Sequence, residues 1–228
     1  MSNSFTPRLA KASKMTKTEL LRTAIEIIAF AERKYGFHYG RFFCGIDIHT
    51  PNETDFSIAW HTFSKNELER RFNDMVKTLY SEISPDHESL WDKAQREACP
   101  QSLKDEIRIQ KNATDYFNKA NNTTDFGITF DQGCVWVTKY DFHVCFPICN
   151  GEISGASLST FIDYDDACGQ CTLDILNSMR DKSVRDALVR FHEEHRQFCI
   201  KEHNKTTALY TQYLNEFCDK ILNDLKHE

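Results

Sequence analysis

Apolar residues in this chain switch between helical and strand spacing block by block, and that switching limits the available folds more than any single motif does. Thr16-Lys-Thr-Glu19 is a capping box ahead of Leu20, Leu21, Ala24, Ile25, Ile28 and Ala31. With Gly36 as the stop, residues 17–35 read as an amphipathic helix. Residues 41–49 and 56–63 alternate with period two around Thr50-Pro-Asn-Glu-Thr-Asp55, the pattern of a hairpin. A second box, Ser64 to Glu67, opens a helix carrying Leu68, Phe72, Met75, Val76, Leu79 and Ile83. Ser84-Pro85 predicts a helix that restarts at the proline, runs through Trp91 and breaks at Pro100, and residues 102–119 are helical in turn.

Asn121-Asn-Thr-Thr-Asp125 is polar and unpatterned, a candidate internal boundary or long loop. Strand-like runs follow at 126–130, 134–140 and 142–148, with Asp131-Gln-Gly133 as a turn, and a fourth run covers 153–162. From Asp165 onward the spacing is helical, ending in a stripe of Tyr210, Tyr213, Leu214, Phe217, Cys218, Ile221, Leu222 and Leu225. Short turns between strands and helices gathered in blocks predict the α+β class. The expectation is a helix-rich fold with an N-terminal hairpin, a central antiparallel meander packed against helices and an all-helical C-terminal third. Residues 1–15 read as a flexible basic tail and 16–228 as one domain.

Charge narrows the partners. With 28 Lys and Arg against 34 Asp and Glu the chain carries a net −6, the wrong sign for general nucleic-acid binding. Arg8, Lys11, Lys14 and Lys17 meet no acid within residues 1–18, but the segment has no apolar stretch of the kind that a signal peptide needs. No run approaches the roughly 18 apolar residues that cross a bilayer. The expected location is therefore cytoplasmic, with no membrane partner.

Nine cysteines stand in a chain with no secretory pattern, so a disulfide framework is not expected. Cys44, Cys134 and Cys218 lie in apolar patterns and read as core, whereas Cys145, Cys149, Cys168 and Cys171 cluster as C-x3-C and C-x2-C pairs. Four thiolates suit structural zinc, the one cofactor that the sequence suggests. A bend at Pro147 would bring the two pairs together. A regular strand over 142–149 would hold residues four apart about 13 Å from each other and forbid it. Cys168-Gly-Gln-Cys171, after the apolar stretch 159–164 and before a helical one, also resembles the dithiol of the thioredoxin family over about 20 residues, but no proline follows Pro147 and no strand pattern follows Tyr164.

Two further constellations hold reactive side chains. His192, His195, Cys199 and His203 share one helical face, expected as a semi-polar face with the histidines at its wet edge beside Leu188, Phe191 and Phe198. In the hairpin, a register in which paired numbers sum to 106 puts Ile46 opposite Trp60 and His49 opposite Ser57. Asp47, His49, Ser57 and His61 then share the outer face, the ingredients of acyl transfer without a Gly-x-Ser-x-Gly elbow. Neither GxxxxGK[ST] nor GxGxxG occurs. The sequence therefore favours a non-enzymatic interaction or regulatory protein that binds another protein, with a homodimer as one form. Inhibitors and host-interaction proteins of viruses and mobile elements belong to that class. The competing reading is a metal- or thiol-dependent enzyme that uses the Asp47/His49/His61 face or the cysteine and histidine cluster.

Overall fold

The computed structural model describes residues 9–36, 38–42, 45–49, 55–59, 64–84, 88–131, 133–153 and 166–227, with side chains throughout except at 38–59 and 166–168. The fold is α+β, with contacts grouped into two compact units: residues 1–100 with 204–228, and residues 101–203. No helix among the described residues is long and apolar enough to cross a membrane.

In the first unit, helix α1 (Lys17–Tyr35) opens on the expected capping box, with Thr16 accepting from Glu19 N–H and Glu19 reaching back to the Thr16 backbone. It stops where Gly36 takes a left-handed φ of 74°. Strands β1 (His38–Phe42), β2 (Gly45–His49) and β3 (Asp55–Ala59) form an antiparallel sheet in that order. Residues 41–49 are thus two strands, not one. Phe42 pairs with Gly45, three residues on, so the period-two alternation changes phase between the two strands.

Helix α2 (Lys65–Ile83) is capped by Ser64. Helix α3 (Leu90–Ala98) starts five residues later than Pro85 suggests, because Ser89 accepts from Asp92 N–H and is the true N-cap. These helices bury Leu20, Ile27, Phe30, Phe72, Met75, Leu79 and Leu90 against Tyr210, Leu214, Phe217 and Cys218 of helix α6 (Lys182–Asp224), whose residues 204–224 belong to this unit. The C-terminal stripe is therefore mostly core, with Tyr213, Leu222 and Leu225 only partly buried.

The basic N-terminus needs correction from residue 9 onward. Leu9 is only 2% exposed, Ala12–Lys14 form a 3-10 turn, Ala10 N–H donates to Asn215 Oδ1 at 2.7 Å, and Lys11 pairs with Asp219 at 2.5 Å. A leucine that finds an apolar seat orders the residues around it, and basic composition alone does not reveal the seat. Residues 1–8 lie outside the described set, as do 60–63, 85–87 and most of the fourth strand run.

In the second unit, helix α4 (Ser102–Ala120) leads into a four-stranded antiparallel meander, β4 (Phe126–Asp131), β5 (Cys134–Lys139), β6 (Phe142–Cys149) and β7 (Glu152–Ile153). Asn150 and Gly151, with φ of 54° and 80°, make the β6–β7 reversal, and Gly133 at 83° sits in the β4–β5 turn. Phe126, Ile128, Phe130, Val135, Val137, Val144 and Phe146 share the inner face and pack on Ile109, Ala113 and Phe117 of α4, Ile175 of α5 (Asp166–Ser178), Met179 just beyond it, and Val184 and Leu188 of α6.

Helix α4 also covers the free edge of β4. Asn118 donates to Phe126 C=O at 2.8 Å and accepts from Phe126 N–H at 3.0 Å, and Thr114 accepts from Ile128 N–H at 2.9 Å. These side chains supply the partners that a neighbouring strand would otherwise give, closing that stretch of edge. On β5, Lys139 ties α5 to the sheet through Asp174 at 2.6 Å.

Candidate functional site

The hairpin face is built from three strands instead of two. Pairing in β2–β3 sums to 104, with Asp47 opposite Ser57 and His49 opposite Asp55, so His49 is not opposite Ser57. A slip of two residues keeps every position on its expected face and changes only its partner. Pairing with β1 then sets His38 opposite His49. One cross-strand row therefore reads His38, His49, Asp55, and the next Gly40, Asp47, Ser57. His61 lies outside the described residues. The sequence reading missed His38 and Asp55. The aromatic run Phe37-His-Tyr-Gly-Arg-Phe42 after the Gly36 stop was the available signal for a further strand.

The four-cysteine arrangement meets the condition that forbids it at one pair. Residues 142–149 form a single strand that continues through Pro147, which is in register with Cys134. Four residues of rise hold Cys145 and Cys149 about 13 Å apart, too far to share one ion. Cys145 is buried, Cys149 is exposed at the strand end and Cys171 is half-buried on α5. The side chain of Cys168 lies outside the described residues. Among the described residues no three His, Cys, Asp or Glu groups converge to hold a metal ion.

Cys145 instead has Cys134 as its neighbour across β5–β6. Burial, then the hydrogen bond with Cys134, pushes the Cys145 thiol up to about 11. Burial likewise raises Cys218 to about 11 in the first unit. Both thiols stay protonated at neutral pH and behave as small apolar groups.

On α6 the histidine stripe is drier than its sequence suggests. His192 and His195 are both buried, against the ring of Phe130 at centroid distances of 5.9 and 5.5 Å. Burial, with the neighbouring His195 charge, lowers the pKa of His192. His195 Nε2 lies 3.3 Å from Glu106 Oε1 on α4, and Cys199 Sγ stands 3.7 and 3.8 Å from the two ring nitrogens. His203, one turn beyond Cys199, is exposed.

A thiol, an imidazole and a carboxylate side by side suggest nucleophilic catalysis, yet two features oppose it. Nearly equal distances to both nitrogens mean that the sulfur is not aligned on one ring lone pair, as a nucleophile–base pair requires. Burial and the Glu106 charge raise the Cys199 thiol, whereas an activated cysteine is lowered. Glu106 therefore serves to hold the His195 ring in place against Phe130. Comparison with protein-family models, curated proteins and solved structures finds no match for this chain.

Proposed function

We propose that the protein works by binding another macromolecule, as an interaction or regulatory protein, and not by catalysis. The observation that supports this is a pair of large apolar side chains one turn apart on α4, Leu103 at 69% and Ile107 at 53% exposure. Leucine and isoleucine left in water forgo about 1.5–3 kcal/mol each of transfer free energy, which a partner surface restores. The raised thiols and the misaligned Cys199–His195 pair agree with a role that needs no activated nucleophile.

A photo-crosslinking phenylalanine analogue placed at position 103 in the native host tests the proposal, with Lys182 as an exposed control position. A discrete adduct at 103, absent at 182 and lost in L103K/I107K chains that melt like the wild type, is the expected result. Identical adduct patterns at both positions, or partners retained by the doubly charged variant, would overturn it.

A further inference from the structure

On α6 within the second unit, Ala187, Arg190, Phe191 and Glu194 follow the i, i+3, i+4, i+7 spacing of a single stripe. Tyr116 of α4 faces that stripe, its ring 5.9 Å from Phe191 and tilted by 57°. Together these five residues line a groove of about 310 Å³. That volume is at the small end of ligand sites, room for one ring and a short polar arm. Ala187 is buried and its small side chain leaves the recess, with the Tyr116 and Phe191 rings as an apolar wall.

On other exposed helix faces some opposite charges three or four residues apart close on each other, as Glu193–Arg196 does at 2.7 Å and Glu67–Arg70 at 2.6 Å, while Arg22/Glu26 and Glu216/Lys220 form no ion pair among the described residues. Arg190 and Glu194 are four apart, and Asp186 lies four before Arg190. Yet none of these three has an ion pair among the described residues. Neither does the Tyr116 hydroxyl have a hydrogen-bond partner there. The groove thus presents a guanidinium and a carboxylate that are unpaired among the described residues, one turn apart, beside an aromatic wall.

We propose that this groove binds a free aromatic α-amino acid. The ring packs over Ala187 against Tyr116 and Phe191, in reach of cation–π stacking by the Arg190 guanidinium. Its carboxylate pairs with Arg190 and its ammonium with Glu194. A simple acid leaves Glu194 unmatched and a simple amine leaves Arg190 unmatched, so the zwitterion complements both charges. This site shares no residue with the Leu103/Ile107 surface, and the two readings stand or fall separately.

Saturation-transfer NMR and titration calorimetry on the full chain test the proposal with L-tryptophan, L-tyrosine and L-phenylalanine. Saturation should reach the ring protons of at least one of the three. Affinity for that ligand should drop tenfold or more in R190Q and in E194Q, exposed substitutions that leave the melting temperature unchanged. 3-Phenylpropionate, phenethylamine and L-leucine should each bind at least tenfold more weakly. Absence of saturation transfer to all three amino acids, or equal affinity in wild type and both variants, would overturn the assignment.

Discussion

Replacing Asn118 with alanine should loosen the free edge of the meander in a measurable, local way. The side chain makes two hydrogen bonds to Phe126, at 2.8 Å to its carbonyl and 3.0 Å from its amide. At roughly 0.5–1.5 kcal/mol net each, their loss costs about 1–3 kcal/mol. Alanine's better helix propensity offsets about 0.5 kcal/mol of that, leaving a net destabilisation of about 0.5–2.5 kcal/mol. Asn118→Asp is a sharper probe. It retains an acceptor for the Phe126 amide but sets a carboxylate oxygen against the Phe126 carbonyl, and it adds a negative charge near the C-terminus of α4. Asp should therefore be worse than Ala, although it is the closer isostere. Urea unfolding gives the stability change, and amide hydrogen exchange locates it, with faster exchange expected at Phe126 first and Ile128 next. An unchanged midpoint together with unchanged protection at Phe126 would show that α4 does not close this edge.

Stability of the second unit should fall as pH drops below about 6.5, the ordinary histidine value, because the folded pKa of His192 is depressed and the unfolded chain takes up the proton first. Above that pH the contribution is constant, and His192→Leu should flatten the acid limb in urea titrations from pH 7.5 to 5. Alkylation at pH 8 followed by peptide mapping should label exposed Cys149 well before Cys145 and Cys218, whose thiols lie near 11. Equal rates would refute their burial. Gly36→Ala meets no neighbouring atom but forces a Cβ into the left-handed region, so a loss of about 1 kcal/mol from strain alone is expected in thermal melts.

Local chemistry made much of the fold readable. Capping motifs at Thr16 and Ser64 state where a helix begins using only four residues each, and the alternation in 126–146 marks which side chains enter the core. Failures came where two structures share one local pattern. Residues 41–49 have strand-forming composition throughout, so one run concealed two strands that pair at Phe42 and Gly45 and hid His38 from view. Pro85 is a sound first-turn residue, but Ser89 supplies the side-chain acceptor and sets the start of α3.

For the candidate sites the division is sharper. Residue spacing put His192, His195 and Cys199 on one face, since 3.6 residues per turn is a property of the helix itself. Which way that face points was decided by Phe130 from the sheet and Glu106 from α4, residues distant in sequence that dry the histidines and raise the Cys199 thiol. The cysteine pairs show the same split, because Pro147 permits a bend, and pairing with β5 holds the strand straight there, keeping Cys145 and Cys149 apart. Likewise Arg190 and Glu194 look in sequence like an ordinary i,i+4 ion pair, and only Tyr116, facing them from another helix, makes their open arrangement one side of a groove. Periodicity and capping act within a few residues and are written in the chain. Burial, register and the neighbours of a charge depend on segments that meet only in the folded state, and they determine which of the reactive residues can act together.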